Sequence, residues 1–567
     1  MKKKLISLIL VGIMTFAGCF ALGGCAPDEG VVEDKNVLNV RIYKGGHGTT
    51  YIEELAKAFN SAYADKGYSV NLLQPSTTLS GAAVYRDIYS NSGVDVYFAG
   101  SLTATEGSGN GGASEYGQTF ADITDLVVNK TALTLNGEEE SVTVGEKLIN
   151  REYENMQHDG KWYGIPYVNG AGGLAVNVEV LKRYAPDMYN EKGLPVTTDD
   201  LFEYAHYMLD PANDKNLINL STRPFTYAEA GNNYANVAMT MWLAQYIGEE
   251  DYNTFFSFQK KDGTKLEKSE FANQFKGDGM LHMLENFVEL YDNKMQTSGV
   301  RTQTFDEAQN IFMNGKAAFY FVGDWMFNEE FNRNEAKLND ITFTNIPLTS
   351  ALGQSLFGEG TSANITDAEK CDDVLREIAL GADAGKEVSV IEKEVEEKYN
   401  VSLETKDVQT VCERRGYFGD RSSSMMVISE KSSKKDLAAL FLRFCAGNEA
   451  GAITAINTHT ASPYAPSALA ESEYEWLKNT NDMINHKYNK PLISSSTGYR
   501  KSIGIAYMIP LFGEIPVTYI TAESRICSVF DDDYNVVNDG SIYKEKAAAY
   551  QKEIISHAQE QVDKGKW

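Results

Sequence analysis

Residues 310–325 read NIFMNGKAAFYFVGDW. A helix-like run meets Asn314-Gly315, a nearly unbroken apolar stretch follows, and it stops at Asp324-Trp325. Upstream, TFDEAQNIFMNG predicts a helix that starts at a capping box of Thr304 and Glu307 and stops with Gly315 in the left-handed position. The apolar stretch is then a buried strand, and its end has two readings. Trp325 is core and Asp324 a turn residue, or the strand carries both to a ligand.

The N-terminal part indicates what kind of sheet this strand belongs to. VLNVRIY (37–43) places Leu38, Val40 and Ile42 on one face, which is strand periodicity. GGHG (45–48) breaks it. In the next segment Ile52, Leu55, Ala56, Phe59 and Tyr63 recur at helical spacing, with Thr50 and Glu53 as a capping box and Gly67 as the stop. YSVNLL is a second strand and VDVYFAG (94–100) a third, with a short helix at 81–90 between them. Alternating strands and helices predict an α/β fold with a covered parallel sheet. In such a sheet the loops at the carboxyl ends of the strands line the binding crevice. Here they are Gly45–Gly48, Gln74–Thr78 and Gly100–Thr103. None carries a dinucleotide fingerprint or a phosphate loop, so no nucleotide cofactor is expected.

Farther along, a charged excursion occupies 129–150. DGKWYGIPYVNGAGGLAVNVEVLKRY (159–184) reads as two strands around a glycine cluster, a candidate hinge because glycine accepts backbone changes that other residues resist. Helices are predicted at 196–209, at 233–248 with Trp242 in the core, and at 281–295. Residues 362–424 are acidic and helical, an apparent insertion. MMVISEKSSKKDLAALFLRFCAGNEAG then resumes strand, turn and amphipathic helix, and a surface helix ends the chain. No repeat of solenoid length occurs.

The chain opens with Lys2, Lys3 and Lys4, an apolar segment, and Leu22-Gly23-Gly24-Cys25. This is a secretory signal. The Cys after LGG resembles a lipoprotein lipobox, which implies a signal peptide at 1–24, a diacylglycerol on Cys25, and a polar tether at 25–36; Cys19 is a second candidate. A net charge of −27 repels phosphate backbones, so nucleic acid is not an expected partner. Cys371, Cys412, Cys445 and Cys527 match no metal pattern and read as mostly buried apolar residues with at most one bridge. The seven histidines form no ligand pair. DDDYN (531–535) lacks the glycine and terminal glutamate of a calcium loop. No metal site is expected.

DGKWYGIPY…LAVNVEVL, AQNIFMNGKAAFYFVGDW and MVISEKSSKKDLAALFLRFCAGNEAG, in this order, resemble the signature blocks of bacterial extracellular solute-binding proteins, most closely the carbohydrate-binding, maltose-binding-protein-like branch. The resemblance covers roughly 37–350 and 425–530; the excursion after 129 and the region 362–424 depart from it. It implies two α/β lobes, a hinge and an inter-lobe ligand cleft. Lobe one is expected at about 37–167 plus 346–457, and lobe two at about 168–345 plus 465–567. It further implies that Trp325 stacks on a sugar ring while Asp324 accepts from hydroxyls or fixes the turn. Tyr234, His47, Ser101, Asn169, Glu359, Tyr499 and Arg500 are candidate ligand contacts by position. The implied function is a lipid-anchored, monomeric receptor on the extracytoplasmic face of the cell membrane. It would capture a carbohydrate, with an oligosaccharide favoured, and hand it to the permease subunits of an ABC importer without performing chemistry. An exported glycan hydrolase would need two carboxylates about 5 or 6.5–9.5 Å apart in a cleft. A sensor or adhesin on the same fold is the other alternative.

Overall fold

The computed structural model describes residues 30–100, 102–110, 115–148, 156–228, 235–257, 260–262, 264, 266–419, 424–470, 472–492, 528–537 and 540–564. The first lobe begins with β1 (Val37–Ile42), α1 (Thr50–Ala62), β2 (Ser69–Leu72), α2 (Ala82–Tyr89), β3 (Val96–Ala99) and β4 (Ile165–Pro166). The chain then crosses to β5 (Gly172–Asn177), α3 (Thr198–Leu209), β6 (Arg223–Thr226), α4 (Ala235–Ile247), α5 (Asp278–Leu290), α6 (Phe305–Met313), β7 (Ala317–Gly323), α7 (Trp325–Leu338) and β8 (Ile341–Thr344). A helical layer of α8 (Ala351–Phe357), α9 (Ala368–Asp383), α10 (Val388–Tyr399) and α11 (Thr405–Arg415) leads to β9 (Tyr417–Gly419). The chain returns to the first lobe as β10 (Met425–Ile428), α12 (Lys435–Cys445) and α13 (Asn448–Thr458). It crosses once more to α14 (Glu475–Asn485), β11 (Lys490–Leu492) and α15 (Ser541–Asp563).

The first sheet has the order β2-β1-β3-β10-β4 and the second β6-β7-β5-β9-β11, with β8 also on β5. β1 is parallel to β2 and β3, as strand–helix–strand connections require. β10 lies antiparallel on β3 because it comes back from the other lobe. Leu38, Val40 and Ile42 are buried with Ile52, Leu55 and Phe59 of α1. Phe59 meets Phe441 and Phe444 of α12 edge-on, with ring centres 5.1 and 5.4 Å apart. Each such buried side chain stabilises the lobe by about 1.5–3 kcal/mol.

In the second lobe every residue of β7 is buried, and its two faces serve two cores. Phe319 and Phe321 meet Tyr204 and Trp242 on one side. Tyr320 meets Phe312 on the other, where Val322 and Met326 are also buried. α6 opens with the predicted capping box: the Glu307 N–H donates to Thr304 Oγ1 at 3.3 Å and the Thr304 N–H to Glu307 Oε2 at 2.8 Å. Gly315 has φ +67°. α1 differs from its predicted start. It is capped at Thr49, whose hydroxyl reaches Glu53 Oε1 rather than a backbone N–H.

The return to the first sheet falls between Gly419 and Met425, not at 346. Residues 346–415 pack on the second lobe: Leu348 and Thr197 form a β-bridge, Arg376 Nε donates to Asp200 Oδ2 at 2.8 Å, and Arg414 Nη1 donates to the Gln245 carbonyl at 2.6 Å. The helical layer has its own apolar centre of Leu352, Leu375, Ile378 and Val411, seated on Val196. The NGAGG segment leads from the first crossing into β5. Gly172 and Gly173 are inside β5, with no positive φ, and serve close packing: a Cβ at Gly173 would stand 2.6 Å from the Thr344 carbonyl oxygen. Cys371, Cys412 and Cys445 are free and buried, and Cys527 lies outside the described residues.

The crossings are tied to each other. The Asn169 N–H donates to the Ala461 carbonyl at 2.7 Å and the Tyr167 N–H to the Ser424 carbonyl at 3.3 Å. The Tyr464 hydroxyl donates to the Pro166 carbonyl at 2.7 Å.

Candidate functional site

Both lobes present sheet ends to the space between them. On the first lobe, Tyr43 N–H bonds the Phe98 carbonyl and Lys44 N–H the Ser76 carbonyl, so the chain stays in the sheet until it turns at Gly45–Gly48. That turn closes with Gly48 N–H on the Gly45 carbonyl at 3.0 Å, and Gly48 takes φ +67°. His47 stands half-buried within it.

On the second lobe, β7 ends at Gly323, opposite Gly172. The Asp324 N–H donates to the Ala171 carbonyl at 3.0 Å, which joins the strand end to the first crossing, and Asp324 is fully buried. Trp325 is the first residue of α7 rather than the end of the strand. Its ring folds back over Gly323, where a Cβ would lie 2.0 Å from Cζ3, so the site requires glycine there. The indole remains half-buried.

The two lobes meet at this indole. A Cβ on Gly46 would stand 3.0 Å from Trp325 Cβ and 2.7 Å from Glu329 Oε1. Asn328 Nδ2 donates to the Gly46 carbonyl at 2.5 Å, and Asn328 Oδ1 lies 2.9 Å from His459 Nδ1. An amide oxygen only accepts, so His459 carries its proton on Nδ1. The His459 ring lies 4.1 Å from that of Phe331, centre to centre. Burial pulls its pKa down to about 4, so it is neutral at physiological pH. Burial pushes the Glu329 carboxyl up to about 7. Trp325, Asn328 and Glu329 stand at i, i+3 and i+4 of α7, one face of one helix.

Asn169 is 6% exposed in the first crossing, and its Nδ2 finds no acceptor among the described residues. Thr460, beside Ala461 in the last crossing, is also buried, and its hydroxyl has no partner among the described residues. An unsatisfied buried polar group costs about 1–3 kcal/mol, which a ligand hydroxyl or a water would recover.

The structure thus brings the turn containing His47 to Trp325, and Asp324 to the crossing that holds Asn169. Glu359 is not brought there. It is exposed in the turn after α8, which is held by local bonds from Gly360 to Asn364 and from Thr361 to Gly358. Ser101, Tyr234, Tyr499, Arg500 and Cys25 lie outside the described residues. Gly46 lies in the turn expected to line the crevice, whereas Asn328, Glu329, His459 and Thr460 were missed by the sequence reading. Only the i, i+3, i+4 spacing of WMFNE carried a signal, and it needed Trp325 to be placed on a helix.

A family model described as bacterial extracellular solute-binding protein matches residues 54–483. The chain belongs to this family. Solved structures of similar architecture include a chitin oligosaccharide binding protein, with a TM-score of 0.53 at 12% identity over 92% of this chain and 99% of that one. The solute-binding protein RafE in complex with raffinose gives a TM-score of 0.51 at 11% identity over 91% and 99%. Maltose-bound MalE3 of T. maritima gives 0.51 at 12% identity over 91% and 98%. Identities this low establish the shared fold. A search of curated proteins returned no match. As a member of an extracellular family, this solute-binding protein works outside the cytoplasm. Among the described residues no helix is long and apolar enough to cross a membrane.

Proposed function

We propose that this solute-binding protein captures a carbohydrate between its lobes and delivers it to the permease subunits of an ABC importer, without chemical turnover. The observation that carries the reading is the half-buried Trp325 indole at the meeting of the lobes, with hydrogen-bonding side chains such as Asn328 on the same helix face. A pyranose has an apolar C–H face and a rim of hydroxyls. The indole suits the face, and the amides of Asn328 and Asn169 and the hydroxyl of Thr460 suit the rim. Structural neighbours named for chitin oligosaccharide, raffinose, maltose and β-D-galactopyranose all recognise carbohydrates, which supports the same class. Asp324 and His47 adjoin this indole and the facing Gly46 along the chain, and Asn169 lies in the crossing joined to Asp324 through Ala171, which supports their candidacy. Ser101, Tyr234, Tyr499 and Arg500 stay candidates by position. The lipobox at Cys25 supports a diacylglycerol anchor on the outer face of the cell membrane, with the receptor acting as a monomer.

A thermal-shift screen of residues 26–567 against a glycan panel tests the reading. A ligand that binds only the native form raises its melting temperature. The expected hits are di- to oligosaccharides. A panel without a hit, together with a hit among amino acids, peptides or polyamines, would contradict it.

A further inference from the structure

The first described residues are stitched to the end of the first sheet that lies opposite the cleft. Asn39 Oδ1 accepts from the Val32 N–H at 3.0 Å while its Nδ2 donates to the Val32 carbonyl at 2.9 Å, so the side-chain amide pairs Val32 as a neighbouring strand would. Asn71 Nδ2 donates to the Gly30 carbonyl at 2.8 Å. Val31 packs against Gly93, where a Cβ would lie 2.8 Å from its Cγ1. Asn39 is itself 1% exposed, with its N–H on Asp95 Oδ2 at 2.9 Å. Asp95 also takes Lys434 Nζ at 2.8 Å and Ser432 Oγ at 2.6 Å. The clasp is therefore part of the lobe's framework. It opens on a polar hollow of about 790 Å³ that Ser433 and Lys431 also line.

Two lengths then fix an orientation. From Cys25 to Gly30 the chain has only five peptide steps, at most about 18 Å when fully extended. β1 rises about 3.3 Å per residue, so it separates this end of the sheet from the Gly45–Gly48 turn by roughly 20 Å. We propose that the base of the first lobe, around Val31, Ser92 and Ser433, is the surface that faces the membrane, and that the ligand cleft faces away from it. The proposal rests on the reading of Cys25 as the lipidated residue. It needs no attraction to headgroups: Lys431 and Lys434 share this base with Glu33, Asp87 and Asp95, and the short covalent leash is sufficient. To present its cleft to a permease, the receptor must then roll on that leash.

The test uses the full lipidated chain on vesicles that carry a nitroxide-headgroup lipid. In a Cys527→Ser background a fluorophore is placed on Ser433→Cys at the base or on Lys44→Cys at the cleft rim; Ser433 and Lys44 are both exposed, and Cys371, Cys412 and Cys445 are buried. The base label is expected to be quenched at least about threefold more than the rim label, and a twenty-residue Gly/Ser insertion after Pro27 should abolish the difference. Equal quenching of the two labels, or stronger quenching at the rim, overturns the proposal. The mass of the N-terminal peptide and flotation of Cys25→Ser are measured on the same preparations. A missing diacylglycerol would sink the anchor reading and this proposal together. Equal quenching on protein that does carry the lipid would sink the orientation alone.

Discussion

Trp242 and Trp325 belong to the same lobe and both pack near β7, yet their surroundings differ in every respect that matters for function. Trp242 is fully buried, meets Phe321 edge-on with ring centres 5.9 Å apart, and donates its indole N–H to the Pro347 carbonyl at 3.2 Å. All its needs are met inside one lobe. Trp325 is half-buried on the first turn of a helix, with its own glycine behind it and a glycine of the other lobe in front. An aromatic satisfied within a lobe is a stability residue. An aromatic whose surface is completed only by the opposite lobe reports on the gap between them.

Substitutions should separate the two. Trp242→Ala is expected to cost about 3–5 kcal/mol of stability through the cavity it leaves. Urea denaturation would show that loss, while the protein that remains folded keeps its affinity. Trp325→Ala should do the reverse: the affinity for the best glycan falls by about 2 kcal/mol, as for an aromatic at the centre of an interface, and the unliganded melting temperature hardly moves. A smaller effect is expected at Gly46. A methyl there meets Trp325 and Glu329 only when the lobes are closed, so Gly46→Ala should weaken binding by about 1 kcal/mol and leave urea unfolding of the unliganded protein unchanged. A destabilised unliganded Gly46→Ala would place that contact inside a lobe.

The smallest expected effect is one of pH. Burial raises the Glu329 pKa from 4.5 to about 7, so the folded form binds more protons than the unfolded form between these values. The contribution of this group to stability is complete below 4.5 and is lost as pH rises through 7. Urea stability should therefore fall modestly across that window, and Glu329→Gln should flatten the profile. His459 acts in the other direction on folding. Its pKa falls from 6.5 to about 4, so its contribution is present above 6.5 and is lost as pH drops toward 4. A Glu329→Gln profile that keeps the wild-type slope would assign the slope to another group.

The same contrast explains what the sequence made legible. β7, the capping box of α6 and the core role of Trp242 are local, since an unbroken apolar run, a three-residue spacing and helical periodicity each act within one turn, strand or helix. The partner of Trp325 is not local. Gly46 lies far upstream, in a turn that strand order places at the crevice, but nothing around Trp325 says that this turn is the one it meets. The lobe boundary failed at 346 for a related reason: the apolar spacing of α8–α11 reveals that one face is buried, not which sheet buries it. Glu359 was a candidate contact by its position just after that boundary, and it stands instead in an exposed turn of the helical layer on the second lobe.

The most direct test is a calorimetric titration of the best glycan from the panel into wild-type protein and Trp325→Ala, with the unliganded melting temperature of each measured alongside. The account predicts an affinity loss of about thirtyfold or more, at an almost unchanged melting temperature. Equal affinities, or a loss of affinity that merely follows a loss of stability, would contradict it.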